Sequence, residues 1–578
     1  MTPSPTESLP FRNSGLPLET RVNDLVSRLV PEEKINQMCQ YQDAIPRLGI
    51  AAYKHGTEAA HGIAWLGTAT VFPQPAGLAC TWNPGLMRQV GTVIGTEARG
   101  FYARNQAVNG LTLWAPTIDL QRDPRWGRVD EAWGEDPVLA GKLAASLIRG
   151  IQGDNPRFLR AVASPKHFLG NNHEADRGSC SVSLDPRNLH EYYLRSFEIA
   201  FRQGGAQSMM TSYNAINGIP ANLNPDIIRL VKQAWGMDGF VVSDAGDVLG
   251  TVREHGHCRT FTEAVALSIK AGIDSITDDH AVCKAAIKDA LATGLLAESD
   301  LDRALRNTFR VRMRLGEFDT PEDNPWAAIG PDCIASPEHA AVAAEAARQS
   351  VVLVRNEAIG DGPLLPLSPI STGSLAVLGP LADEVFRDWY SGSLPYAVTP
   401  LAGIRTVFGA ADIRFDDAMD RIRLRSTSRK AWVNEESDST GPGGAPCLAA
   451  TAGEADQAQV FARHDWGWGS STLRRATGGK WLSTDDRRLA CGADEIFGWF
   501  TKEVFHLEQE PGASGRCTLS TWNDAPVTVD PASGQLVVGD SLAPENQGPV
   551  GIAAAMRSAS AGRKETFELE IVDDGIAR

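Results

Sequence analysis

The sequence has no apolar run near the roughly 18 residues that a membrane-spanning helix needs. Basic residues are in deficit: the 578 residues carry a formal net charge of −16. That deficit argues against nucleic acid or an anionic membrane as the main partner, since both attract Lys/Arg-rich faces. The nine cysteines are scattered and odd in number, with no CxxC pair. A disulfide framework or structural zinc site is therefore not expected. The opening MTPSPTESLPFRNSG has neither a basic start nor an apolar stretch. With the unpaired thiols, this predicts a protein without a secretory signal, located in the cytoplasm. Phosphate-cradling GxxxxGK[ST], a GxGxxG after the first candidate strand, GxSxG and HExxH are all missing. His55, His61, His167 and His173 are available to a metal, but they form no close triad, and Lys166 would repel a cation beside His167. The expectation is no metal and no cofactor.

What is present is ordinary globular composition, 43% hydrophobic and 22% charged, at a length that suggests two to four domains. From about residue 20 to 320, short apolar runs starting at Leu48, Leu111, Ala161, Ala206, Gly239 and Gly272 alternate with amphipathic stretches. Those stretches include LMRQVGTVIGTEARGF, PVLAGKLAASLIRGIQ, LHEYYLRSFEIAFRQG and FTEAVALSIKAG, with apolar residues three and four apart. Repeated strand–helix units over this length predict a parallel (β/α)8-type TIM barrel over residues 1–325. After a Pro- and Asp-rich linker, an Ala-rich helix over HAAVAAEAARQSVVLVRNE and a strand SLAVLGPLAD open an α/β sandwich layer, residues 326–420. Its later strands do not appear downstream, so the layer reads as incomplete. From Arg421 the texture turns to Gly, Ser, Thr and Trp. The stretches starting at Val460 and Val504 look like copies of one unit, and a third start, TFELEIVDD, begins at Thr566. This predicts an all-β, trefoil-like module over residues 421–578, with an irregular β sandwich as the alternative.

In a barrel of this kind the active site forms on loops after the strands' C-terminal ends. Those positions hold His55-Gly-Thr-Glu58-Ala-Ala-His61, the run from Arg122 to Arg128 and then Glu135-Asp136-Pro137, Lys166-His167, Asn171 to Arg177, Met210 to Asn214, and Ser243-Asp244-Ala245-Gly246-Asp247. Cations, carboxylates, amides and aromatic rings on one rim suit a polyhydroxylated substrate. Carboxylates and bases hold hydroxyls, ring faces meet C–H surfaces, and one carboxylate approaches the reacting carbon. Each residue alone has a plainer reading. Lys166 could pair with a neighbouring carboxylate, and Asp244 could cap the following helix. Five loops carrying such residues together favour a site.

QRDPRWGR…EDP, SPKHFLGNN, MTSYNAINGIPA and GFVVSDAG, in this order and spacing, resemble the N-terminal domain of glycoside hydrolase family 3. GTEAAHG, TVFPQPAGLACTWN and DWYSGSLPYAVTPLAGI add to the resemblance, which spans about residues 20–410. The trefoil-like stretch is similar to the fascin-like domain of one bacterial branch of the family. The resemblance implies a retaining exo-β-glycosidase acting on an oligosaccharide or an aryl or alkyl β-glycoside, with Asp244 as nucleophile. It places Glu58, Arg128, Lys166, His167, Arg177, Met210 and Tyr213 around the terminal sugar, with Tyr213 near the nucleophile. Glu58 in an E-A-x-H-G setting points to a pentoside. Ala245, where many family β-xylosidases carry Cys, leaves glucose and xylose both open.

A retaining glycosidase also needs a second carboxyl roughly 5–5.5 Å from the first to protonate the leaving oxygen. The residue that supplies it in most of the family has no counterpart here. Glu435, Glu436 and Glu454 do not match its motif, and His173 does not sit in the Gly-His-Gly pattern of the subgroup that uses histidine. The expectation is an acid/base absent from this chain, which would then be truncated. A non-catalytic carbohydrate-binding fragment is the alternative. The half-built α/β layer predicts an uncovered apolar edge and self-association.

Overall fold

Five short parallel strands frame the first unit: β1 (Thr57–Glu58), β2 (Thr112–Trp114), β3 (Val162–Ala163), β4 (Ser208–Met210) and β5 (Phe240–Val242). The computed structural model describes residues 9–360, 362–467, 469–485, 487–498, 501–539 and 564–573. The outermost residues of the first and last predicted domains, 1–8 and 574–578, and the stretch 540–563 lie outside the described residues. β1 pairs with β2, β2 with β3 and β4 with β5, all parallel. Parallel bridges Thr117↔Lys166, Phe168↔Thr211, Val242↔Ser275 and Cys39↔Ile276 continue the wall. The ring closes through an antiparallel pair, Tyr41–Gln42 against Tyr53–Lys54. The unit is thus an α/β, TIM-barrel-like fold with one antiparallel seam where an all-parallel wall was expected. All three residues of β5 are fully buried, the pattern of a strand covered on both faces.

Helices α1 (Pro84–Arg104), α2 (Pro137–Gln152), α3 (Leu194–Arg202), α4 (Phe261–Ala271), α5 (His280–Ala292) and α6 (Glu298–Arg314) surround this wall. α2 shows why the sequence makes helix here. Pro137 takes the first position, Asp136 accepts hydrogen bonds from the N–H groups of Val138 and Leu139 at 2.7 and 2.8 Å, and Gly153 ends the helix at φ +75°. Its residues Ala140, Leu143, Ala144, Leu147, Ile148 and Ile151 are buried at helical spacing. α1 crosses α2 closely through glycines. A Cβ on Gly91 would lie 2.2 Å from the carbonyl oxygen of Leu147, and one on Gly150 2.2 Å from that of Arg88.

The helix predicted through VVLVRNE stops earlier, as α7 (Pro337–Ser350). Val351 is extended, and Val351 to Val354 are 57–91% exposed. Adjacent β-branched valines lose rotamer freedom in a helix and favour extended backbone. By contact, the chain divides into two units, residues 1–353 with 390–395, and residues 354–389 with 396–578.

The second unit opens with β6 (Ser374–Leu378), α8 (Pro400–Val407) and β7 (Asp412–Asp416), where β6 and β7 pair in parallel. The layer therefore has a second strand, ADIRFDD, that the sequence reading did not find. Charged residues alternate through it and hide the apolar signal. The rest of the unit is β: β8 (Asp420–Ser426), β9 (Ala431–Thr440), β10 (Pro446–Ala452), β11 (Phe461–Gly467), β12 (Ser470–Arg475), β13 (Trp481–Thr484), β14 (Leu489–Ala493), β15 (Val504–Gln509), β16 (Arg516–Thr521), β17 (Val527–Val529), β18 (Leu536–Val538) and β19 (Thr566–Asp573). β8, β11, β12, β15, β16 and β19 pair in sequence and back to β8, closing a ring. The hairpins β9–β10, β13–β14 and β17–β18 pair internally. Single contacts Cys447↔Ala490, Ala449↔Gln535 and Arg488↔Val537 join the hairpins. Ile422, Phe461, Phe505 and Phe567, each near the start of a ring strand, are fully buried in the shared core.

Candidate active site

The wall's register brings the rim residues together. Glu58 ends β1 opposite Trp114, Met210 ends β4 opposite Val242, and Asp244 follows two residues beyond Val242 on the same pleat face. Lys166 and His167 follow β3. Gly56 carries no side chain because the Trp114 ring fills that space, 2.0 Å from where a Cβ would stand.

The helix after Asp244, Asp247–Arg253, has Gly246 as its N-cap at φ +86°. Asp244 is therefore not the capping residue. Oδ1 accepts from the Ala245 N–H at 2.7 Å, while Oδ2 is buried without a hydrogen-bond partner among the described residues. The nearest base to Oδ2 is His167, with Nε2 at 3.6 Å. Its neighbour Asp247 is buried and accepts from Thr211 Oγ1 at 3.0 Å and from the Asp244 N–H at 3.3 Å. Burial first, and the charge of Asp244 second, push the Asp247 carboxyl well above the usual range.

Around Asp244 the polar groups are held in fixed pairs. Lys166 Nζ lies 2.8 Å from Glu58 Oε2, both buried. Burial pushes the Glu58 carboxyl up, and Lys166 pulls against it. His167 Nδ1 is 2.7 Å from Asp119 Oδ2, and Arg128 Nη2 is 3.2 Å from His167 Nε2. Burial, with Arg128, Lys166 and Arg177 nearby, holds the imidazole pKa far below its usual value. A neutral ring that donates from Nδ1 to Asp119 and accepts at Nε2 from Arg128 satisfies both contacts. Arg128 forks onto Glu131 at 2.7 and 2.8 Å. Arg177 pairs with Glu174 at 3.0 Å and lies over the Tyr213 ring at 4.2 Å. Tyr213 donates to the Ala245 carbonyl at 2.9 Å, and burial beside Asp244 raises its phenol pKa strongly. The Tyr390 ring lies 5.1 Å from Lys166 Nζ and 5.9 Å from the Arg128 guanidinium, and stacks on Trp65 at 5.9 Å. An aromatic face beside two cations, with carboxylates near them, suits a ligand with hydroxyl groups on an apolar ring.

Of the predicted residues, Glu58 with Lys166, His167 with Asp244 and Arg128, and Arg177 with Tyr213 are brought into contact. Met210 is buried at the end of β4, where its carbonyl accepts from the Phe168 N–H at 2.8 Å. His173 is exposed. His55 is buried between Tyr53 and Phe240 and belongs to the barrel core, not the rim. His61 is buried with Nδ1 2.9 Å from the Phe72 carbonyl. Sequence reasoning passed over Asp119, Glu131 and Tyr390, and it placed Asp247 on the rim without a role. Asp119 and Glu131 lie near residues that were selected, so proximity could have flagged them. Tyr390 is more than 140 residues from Asp244, and only its place in DWYSGSLPY could have drawn notice.

Comparisons with known proteins agree on one family. The profile of the Glycosyl hydrolase family 3 N terminal domain matches residues 23–311. Beta-D-xylosidase 1 of Arabidopsis thaliana is 37% identical over 417 residues, covering 69% of this chain and 53% of that protein. Beta-xylosidase/alpha-L-arabinofuranosidase 1 of Medicago sativa subsp. varia is 34% identical, covering 68% and 53%. Among solved structures, a GH3 exo-beta-xylosidase (XlnD) in complex with a xylobiose aziridine activity-based probe superposes with a TM-score of 0.64 at 30% identity, covering 71% of this chain and 54% of that one. Beta-glucosidase 3B from Thermotoga neapolitana in complex with glycerol has a TM-score of 0.56 at 28% identity, covering 68% and 55%. The chain spans about half the length of the curated relatives it matches.

Proposed function

The chain belongs to glycosyl hydrolase family 3, and on that footing we propose that its barrel is the glycone-binding half of a retaining exo-β-glycosidase with Asp244 as nucleophile. The observation that carries this reading is the buried, unbonded Oδ2 of Asp244, placed at a strand end among Lys166, His167 and Arg128. Oδ2 attacks the anomeric carbon of a terminal non-reducing sugar, the bond to the leaving oxygen breaks, and a glycosyl ester forms. Water then attacks the same carbon and frees Asp244. Glu58 and Lys166 hold hydroxyls on one side of the sugar, Arg128 and His167 on another. Tyr390 covers its apolar face.

The sugar is β-D-xylose or β-D-glucose. Relatives named as xylosidases and the length of Glu58 support xylose. The acid/base is not supplied by this chain. Four carboxylates of the rim already have partners: Glu58 with Lys166, Asp119 with His167, Glu131 with Arg128, and Glu174 with Arg177 and Trp126. The twelve strands from β8 to β19 form a fascin-like β-trefoil. This is supported by the six-strand ring with three hairpins and by the sequence copies at Val460, Val504 and Thr566.

Incubation with 2,4-dinitrophenyl 2-deoxy-2-fluoro-β-xyloside and its glucose counterpart, followed by peptide mass spectrometry, tests the nucleophile. That leaving group departs without protonation, so an absent acid does not prevent trapping. An adduct on the Asp244 peptide is expected, faster with xylose. A folded protein that gives no adduct with either sugar would instead be a carbohydrate-binding fragment.

A further inference from the structure

A cavity of about 320 Å³ lies at the end of the barrel away from the rim. Its wall includes residues just ahead of β1, the last turns of α1 and the segment from Leu315 to Asp319 after α6. Segments that leave helices and enter strands lie at the strands' N-terminal ends, opposite the sugar site. Two of the wall residues are cations with no carboxylate partner among the described residues. Arg99 is only 4% exposed and gives its Nε and Nη2 donors to three carbonyl oxygens, those of Arg160 at 2.6 Å, Leu159 at 2.7 Å and Leu315 at 2.9 Å. Its Nη1 group takes no part. Arg12 bonds through Nη2 to the carbonyls of Leu48 and Gly49 at 3.1 and 2.7 Å, which leaves Nε and Nη1 unused. The two carboxylates on the same wall are taken. Glu317 is bound by Arg312, with Nε at 2.6 Å, and Asp319 is held by Arg21 and Arg157 at 3.0 and 2.9 Å. Arg160, 4.5 Å over the Trp326 ring, adds a further cation close by.

The charge kept from water is that of Arg99, which burial lowers to about 10, while Arg12 is exposed and feels the charge of Glu317. A buried charge without a counter-ion is unfavourable, and a bound anion relieves it. The planar fork of arginine matches a carboxylate or phosphate. Tyr53, Tyr102 and Trp326 line the rest of the space, and its volume is at the small end of the range for ligand pockets.

We propose that this cavity is a binding site for a small oxyanion, an organic carboxylate or inorganic phosphate, gripped between Arg12 and Arg99. It is separate from the sugar site and does not depend on the role of Asp244.

The test uses the full chain at constant ionic strength, with sodium chloride as reference. Thermal denaturation and 19F NMR are followed as 4-fluorobenzoate is added, and thermal denaturation alone as phosphate is added. A saturable rise in Tm with either anion, and not with chloride, is expected. The anion that acts identifies the source as carboxylate or phosphate. Arg12 is exposed, so Arg12→Gln should fold; it is expected to weaken the apparent Kd about tenfold. The same variant should leave the rate of fluoro-sugar trapping unchanged. Arg99→Lys keeps the charge but loses the fork, and it should weaken binding as well. No saturable response to either anion would overturn the proposal. So would an unaltered Kd in Arg12→Gln, or displacement of the anion by xylose, which would place it among Arg128, Lys166 and Arg177.

Discussion

Asp247 accepts a hydrogen bond from the backbone N–H of Asp244 at 3.3 Å, so a second buried carboxyl holds the proposed nucleophile in place. Its other bond, from Thr211, ties this support to the end of β4. Asp247→Leu keeps roughly the volume and removes the oxygen that accepts both bonds. We expect kcat to fall about tenfold to a hundredfold with KM nearly unchanged, because the loss falls on placement of Asp244 rather than on sugar binding. Steady-state kinetics on an aryl β-xyloside reads this. An equal rise in KM with unchanged kcat would remove Asp247 from the positioning role.

Glu58 and Lys166 set a prediction about the sugar. Shortening the acid in Glu58→Asp pulls the carboxylate away from Nζ and opens space beside the ring. The kcat/KM ratio of glucoside to xyloside should rise about tenfold, the scale that one added or removed methylene supports in a pocket. Competition between the two fluoro-sugars in the trapping assay measures it directly. A ratio unmoved by the substitution would mean that Glu58 does not meet the position where the sugars differ.

His55 carries a pH prediction for the fold. It is buried with neither ring nitrogen hydrogen-bonded, and burial lowers its pKa from 6.5 to about 3. The folded pKa lies below the unfolded one. The full stability from this group is therefore present above about pH 6.5 and is lost as pH falls towards 3, by about 1.4 kcal/mol per unit. Urea unfolding of the wild type and His55→Leu between pH 7 and 4 should show the wild type losing stability more steeply. Parallel curves would sink the idea.

The exposed run after α7 makes the fourth prediction. Val351 is extended and Val351 to Val354 are exposed, Val354 by 91%. Unpaired extended apolar segments favour association. Wild-type protein should elute broadly from size exclusion and bind a dye that reports apolar surface, and Val352→Lys with Val354→Lys should sharpen the peak and reduce the dye signal. A sharp monomer peak for the wild type with no dye bound would count against it.

Much of the barrel was legible because its signals are local. α2 announces itself through Asp136, Pro137 and Gly153 together with apolar residues at helical spacing. Asp244 and Lys166 stand where apolar strands end, so an α/β reading places them on one rim. The early end of α7, and β7, were less legible. A Val-Val step can close a helix or open a strand, and the alternating charges of ADIRFDD mask its pairing with β6.

The sequence by itself determined the strand–helix alternation, the rim composition and the family, since each rests on residues close together in the chain. Only the tertiary structure decided who pairs with whom: that Glu58 answers Lys166 and Asp119 answers His167, that Tyr390 reaches them, and that His55 is core rather than rim. Those outcomes depend on register and on contacts between residues up to hundreds of positions apart. No local pattern encodes such contacts, because a one-residue shift in pairing turns every side chain of a strand to its other face.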